Sequence, residues 1–173
     1  MENKTKYKLS ASLRKLLLKK NIDKITIGEI VKDSHVNRQT FYYHFKDIYD
    51  LIEWIYMNEI INELKVINDF NDWEASCNFM LNYILKNEPF ISKTYKISSL
   101  KNFIYDQIYN QIYNKIKGNI NNLKNNNDVE FMARFYSHAF IGIVGDWVRD
   151  GMHESIDKLI SNMSRIINST KIS

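Results

Sequence analysis

With 173 residues, 45% of them hydrophobic, one proline and five glycines, the chain has material for a sizeable core and few interruptions to its helices. This composition selects an all-α fold and excludes a disordered polymer. No apolar run of about 18 residues occurs and no apolar signal region follows Met1-Glu2-Asn3-Lys4, so neither a membrane span nor export is expected. The single Cys77 cannot form an internal disulfide, which fits a reducing cytoplasm; its apolar helical surroundings mark it as a buried structural residue rather than a nucleophile. The formal net charge of +4 is unevenly placed. Residues 1–50 hold eleven Lys and Arg against six Asp and Glu, whereas residues 51–173 hold thirteen against fourteen. An excess of positive charge in one segment is what a phosphate-binding head requires.

The first predicted helix begins at Thr5, with Leu9, Leu13, Leu16 and Leu17 on one face and Lys8, Ser12, Arg14, Lys15 and Lys19 away from it. It is expected to end at Lys20-Asn21, with Asn21 in the left-handed C-terminal position. Asp23-Lys24-Ile25 leads to Thr26, whose pairing with Glu29 three residues on is the signature of a capping box. Ile27, Ile30 and Val31 then give a short helix one buried face. Ser34-His35-Val36 breaks the period, and Asn37 caps a third helix through its side-chain oxygen. That helix turns Phe41 and Phe45 inward and leaves Arg38, Gln39, Thr40, Tyr42, Tyr43 and His44 outward, with no acid from Asn37 to Lys46. A short, polar, acid-free helix after a tight turn fits a helix-turn-helix whose second helix enters a major groove. The expected core of this head is Leu9, Leu13, Leu17, Ile25, Ile30, Val31, Val36, Phe41 and Phe45.

Asp47 with Asp50 caps a long fourth helix. Ile48, Leu51, Ile52 and Ile55 face one way, while Met57, Ile60, Ile61 and Leu64 continue on a rotated face, so this helix is expected to touch two bodies. Asn68–Asp72 is a polar break, and Asp72 caps a helix running to about Asn87. Pro89 opens a short segment through Tyr95. A helix from Ser98 or Ser99 to about Lys117 carries Leu100, Phe103, Ile104, Ile108, Ile112 and Ile116, and Gly118–Asn127, with six asparagines, reads as a flexible loop. Asp128 is expected to cap the most apolar helix, Val129 to Asp150. Ala139, Gly142 and Gly145 line one of its edges and Gly151 ends it. The last helix, from Ser155 to about Asn168, places Ile156, Leu159, Ile160, Met163, Ile166 and Ile167 at near-heptad spacing. Two such helices call for a seam with a second copy, formed by Ala139, Gly142, Ile156, Leu159, Ile160, Met163 and Ile167; the other reading is that both stripes only cover the protomer's own core.

His35, His44, His138 and His153 show no metal-ligand spacing, and neither a glycine-rich phosphate loop nor a Gly-x-Ser-x-Gly elbow occurs. No catalytic group, metal or cofactor is expected, and the chain is not read as an enzyme. His138 is either a hydrogen-bonded core histidine or an effector contact. Phe79, Tyr83, Phe103, Tyr136 and Phe140 either line an effector pocket or pack as ordinary core.

Residues 26–51 resemble the DNA-binding domain of TetR-type transcriptional regulators, whose recognition helix ends in a run like Tyr42-Tyr43-His44-Phe45. Two positions differ from the family pattern: His35 stands where glycine is usual, which places a left-handed backbone on a residue with a Cβ, and Ile48 stands where many members have a phosphate-contacting lysine. The resemblance implies a DNA-binding head over 1–46 and a helical regulatory and dimerisation domain over 47–173. It implies a homodimer on a near-palindromic double-stranded DNA operator, with helix 4 carrying an effector signal to the head. Arg38 and Gln39, with Thr40, are expected at base edges. Thr26, Tyr42, Tyr43, His44 and Lys46 are expected at phosphates, and Asn37 at the start of the same surface. The run Thr40–Leu51, together with Trp147 and Asp150-Gly151-Met152, looks most like the branch containing activators of dihydroxyacetone-kinase operons. Control by a small-molecule effector and control by a protein co-regulator both stay open. So do two other classes: a non-regulatory DNA-binding module such as the head of a mobile-element protein, and a helical ligand-binding or scaffold protein whose head has lost DNA binding.

Overall fold

A computed structural model describes residues 2–61, 73–119 and 126–169, and all regular structure among them is helical. The α-helices are α1 Glu2–Leu17, α2 Ile27–Ser34, α3 Arg38–His44, α4 Ile48–Tyr56, α5 Trp73–Lys86, α6 Glu88–Thr94, α7 Ser98–Asn119, α8 Asn126–Arg149 and α9 Ile156–Ser169. The chain divides into two compact units: Met1–Asn62 with Asn87–Lys101, and Glu63–Lys86 with Asn102–Ser173. It therefore passes between units three times.

In the first unit, α1, α2 and α3 close over Leu9, Leu13, Leu17, Ile25, Ile30, Phe41 and Phe45, all buried, while Val31 and Val36 are half-buried at its rim. The buried Ser12 hydroxyl donates to the carbonyl of Ile30 at 3.0 Å, tying α1 to α2. Helix α1 starts earlier than Thr5, and Asn21 does not close it: that residue is extended, at φ −75° and ψ 158°, and leads into a 3-10 turn over Ile22–Lys24. The orphan carbonyls of Leu17 and Lys20 are met instead by the Lys93 ammonium, from a segment 70 or so residues away in sequence, which local patterning cannot supply. Asp47 caps α4 as expected, accepting from Asp50 N at 2.9 Å. A π-helical stretch over Met57–Ile61 follows. It begins at Met57, where the apolar stripe of the sequence shifts face. Helix α6 is held to α1 and to the π-helical stretch through Arg14, whose guanidinium carbon lies 4.2 Å from the Phe90 ring centroid while its nitrogens reach Glu59 at 2.7 Å and Asn87 at 2.9 Å.

In the second unit, α5 packs on α9, burying Cys77, Leu81 and Ile84 from the one and Leu159, Ile160 and Met163 from the other. Ser164 bonds to Glu74 across the same pair. Ile116 of α7 meets Val129 and Ala133 of α8, with Tyr109, Ile112, Tyr113, Met132 and Tyr136 against them. Helix α8 begins at Asn126, so Asp128 sits inside its first turn rather than capping it. Of the expected loop Gly118–Asn127, both ends are helical and 120–125 lies outside the described residues; so does the break at Asn68–Asp72. Gly151, at φ +80°, ends α8 in a Schellman motif: Gly151 N donates to Val148 O at 3.2 Å and Met152 N to Trp147 O at 2.8 Å.

Candidate nucleic-acid interface

The surface is built by two caps and one turn. Thr26 Oγ1 accepts from Glu29 N at 3.3 Å, and Glu29 Oε2 accepts from Thr26 N at 3.0 Å and from the Thr26 hydroxyl at 2.9 Å, a complete capping box. The Lys20 ammonium on Glu29, reinforced by the two Thr26 hydrogen bonds, lowers the carboxyl to about 2. At the other end of α2, His35 is left-handed, at φ 54° and ψ 38°. Its N–H reaches Lys32 O at 3.4 Å and Val36 N reaches Val31 O at 3.0 Å, a second Schellman motif built without glycine. Asn37 Oδ1 then accepts from Thr40 N at 2.6 Å and starts α3.

At about 100° per residue, Arg38 and Tyr42 share one strip of α3, and Gln39 and Tyr43 the next. All four are exposed, as is Asn37, whereas Phe41 and Phe45 are buried behind them. The Arg38 guanidinium carbon lies 5.9 Å from the Tyr42 ring centroid, which keeps the side chain on the helix surface. Thr40 and His44 flank the exposed strips and are half-buried. The His44 ring meets Tyr43 edge-on at 4.9 Å, and its Nδ1 is buried with no hydrogen-bond partner among the described residues. Lys46 is exposed, and its backbone N–H donates to Asp50 Oδ2 at 2.9 Å, fixing the turn into α4. Thr26 is exposed but its hydroxyl is engaged in the cap. Donors and aromatics thus cover the outer side of α3 with no carboxylate among them.

The residues singled out in the second unit fall into separate places. Ala139 and Gly142 are exposed on α8, Ile156 and Ile167 are half-buried, and Leu159, Ile160 and Met163 are buried within the chain itself. Sequence reasoning missed two exposed phenylalanines, Phe131 and Phe135, which continue the Ala139–Gly142 strip at helical spacing; the signal was there as a period of four and three. A Cβ added at Gly142 or Gly145 meets nothing within 4 Å. Phe79 and Tyr83 line an open groove between α5 and α9 together with Asn78, Asn82, Ser161 and Arg165; that groove does not reach Phe103, Tyr136 or Phe140. His138 is neither buried nor in that groove: it is exposed, with its ring 4.7 Å from that of Tyr105. Cys77 is buried, and burial pushes its thiol up to about 12, so it stays protonated.

Residues 10–55 match the family model described as "Bacterial regulatory proteins, tetR family". Residues 71–169, more than half of the chain, match the TetR-type model of a "Transcriptional regulator C-terminal region". A curated relative, the HTH-type dhaKLM operon transcriptional activator DhaS of Lactococcus lactis subsp. lactis (strain IL1403), is 29% identical over 97 residues, or 56% of this chain. The match spans 51% of that relative's length, about half. A solved structure, a dihydroxyacetone kinase operon activator DhaS, superposes with a TM-score of 0.73 over 95% of this chain and 94% of its own, at 22% identity, which is a likeness of fold.

Proposed function

The chain belongs to the tetR family of bacterial regulatory proteins, and from that premise we propose that it binds a near-palindromic operator as a homodimer and is controlled through residues 47–173. Its relatives are transcriptional regulators rather than enzymes. The observation that carries the reading is the outer side of α3, where Arg38, Gln39, Tyr42 and Tyr43 stand exposed in two adjacent strips with no acid beside them. In this reading Arg38 and Gln39, at the N-terminal turn that enters the groove first, read base edges, and Thr40 adds a contact from the flank. Tyr42, Tyr43, the His44 ring and the Lys46 ammonium hold phosphates, with Asn37 and Thr26 at the near margin.

One head offers few contacts, so a second copy placing its α3 about 34–36 Å away, or a multiple of that, completes the site. The exposed strip Phe131, Phe135, Ala139 and Gly142 on α8 supports a seam there, since large apolar side chains beside open glycines suit a closely approaching helix. Leu159, Ile160 and Met163 support α9 from inside the protomer, with Ile156 and Ile167 at its margin.

The relative named as an operon activator makes activation of a neighbouring operon in the cytoplasm the form of regulation to test first. The groove holding Phe79 and Tyr83 is open and mixed in polarity, and Phe103, Tyr136 and Phe140 lie outside it. That arrangement favours a protein co-regulator over a small apolar effector enclosed by the five aromatics. The deciding experiment is recovery of the fragments of its own genome that the purified protein retains, followed by footprinting. Two protected half-sites related by a dyad are expected. Retention independent of sequence, at a salt concentration near 0.15 M, would overturn the operator reading.

A further inference from the structure

The apolar stripe of α1 runs backwards at helical spacing from Leu13 and Leu9 onto Lys6, three residues before Leu9. A lysine is out of pattern on this inward face, and the residue is half-buried. Its ammonium stands 5.9 Å from the ring centroid of Phe45, the C-cap of α3, so the stem follows apolar surface while the charge lies at the edge. The arrangement is held from the other side. Trp54 meets Phe45 at 5.9 Å and Tyr7 at 5.3 Å, and Asn58 donates to the Tyr7 phenol at 2.8 Å. Lys15 and Lys20 are paired with Asp33 and Glu29, but Lys6 has no carboxylate partner among the described residues. The chain neighbours of Phe45 are His44 and Lys46, both on the phosphate-holding side of the surface described above.

We propose that Lys6 is a phosphate-binding residue that extends the DNA face past the C-terminal end of α3, onto the backbone flanking the base-read segment. The proposal rests on the DNA-binding reading and adds a residue to it from a different helix. A charge lying over a ring face, with no carboxylate on it among the described residues, passes to a phosphate oxygen with little loss of side-chain freedom, and the phosphate's counterion is released. Such a contact fixes register without selecting sequence.

The test uses the full chain and a duplex carrying the footprinted operator with its flanks, titrated over a series of salt concentrations. Lys6→Gln is expected to lower the slope of log affinity against log salt by about one per bound protomer and to leave the ranking of base-substituted operators unchanged. Lys6→Met, which keeps the stem on Phe45, is expected to do the same, and Lys6→Arg to restore the slope. Lys19→Gln removes the same charge just past the far end of α1, a helix that rises about 16 Å between Lys6 and Leu17, beyond the screening length, and is expected to keep the wild-type slope. An unchanged slope in both Lys6→Gln and Lys6→Met overturns the proposal, as does an equal fall in Lys19→Gln or a changed ranking of operators. A wild-type protein that retains no duplex at all sinks the regulator reading itself, which is a separate result.

Discussion

The Tyr56 phenol at the end of α4 lies 2.9 Å from the Thr94 hydroxyl at the end of α6, both fully inside the first unit. Thr94 gives its one proton to Phe90 O at 2.8 Å, so Tyr56 is the donor to Thr94. Burial raises the phenol above its ordinary range and keeps that donor protonated. Thr94→Val leaves a buried phenol without an acceptor and should cost roughly 1–3 kcal/mol, whereas Tyr56→Phe, which removes the donor, should cost about 1 kcal/mol. Urea unfolding of both variants and of the double variant checks this; equal and additive losses would mean that the two hydroxyls do not act as a pair.

On the recognition helix, Arg38→Ala should cost roughly 1–3 kcal/mol of operator affinity and relax preference at one base position. Lys46→Ala should weaken all sequences alike and flatten the salt dependence. A ranking of operator variants identical in wild type and Arg38→Ala would remove the base-reading role from Arg38 and move it to Gln39.

For assembly, Leu159 and Met163 make poor probes, because a charge at either position disturbs the protomer's own core. Gly142 is cleaner, since a side chain there meets nothing within the chain. Gly142→Leu should leave protomer stability unchanged or raised by up to about 1 kcal/mol through helix propensity, yet yield monomer on sedimentation. A dimer as strong as wild type's in this variant and in Phe135→Asp would place the seam elsewhere.

Local chemistry was legible in the sequence wherever the partners lie within a few residues. The Thr26–Glu29 box, the Asn37 and Asp47 caps, the Gly151 ending and the inward Phe41 and Phe45 all follow from short-range spacing. What was not legible depends on distant partners. The end of α1 is closed by Lys93, and the inward lysine at position 6 has meaning only beside Phe45. The shift of stripe at Met57 was visible, but the π-helical stretch that begins there was not, because hydrophobic period alone does not report hydrogen-bond register. The five aromatics at helical spacing could not reveal that Phe79 and Tyr83 face a groove the other three do not share.

At the turn, His35 holds a left-handed backbone that costs an L-residue roughly 1–2 kcal/mol, against about 0.5–1 kcal/mol of extra chain entropy lost by glycine. His35→Gly should therefore stabilise the head by up to about 1 kcal/mol with operator affinity retained. Thermal unfolding gives the sign. A loss of stability would show that the imidazole makes a contact worth more than the strain.

The acid limb of stability separates two carboxylates of opposite sign. Glu29, with Lys20 and Thr26 holding its charged form, titrates at about 2 in the folded chain against an ordinary 4.5. The unfolded chain takes up that proton first, so the contribution is complete above about pH 4.5 and disappears as pH falls towards 2. Asp33, held by Lys15, acts in the same direction. Glu53 is raised, by burial first and then by Asp50 and Asp47, so the folded chain takes up its proton first and the gain in relative stability falls on the other side of the ordinary value, as pH drops towards 4.5 from above. Glu29→Gln should then flatten the fall of unfolding free energy between about pH 4.5 and 2, and Glu53→Gln should remove a gain that belongs to the range above about pH 4.5. Both group effects are small, since Glu29 lies at the surface and its ion pair is screened, so the measurement is the difference in slope between variants at low salt. Parallel curves for wild type and Glu29→Gln would mean that the capping carboxylate titrates alike in both states, and that Thr26 is held by its own hydroxyl alone.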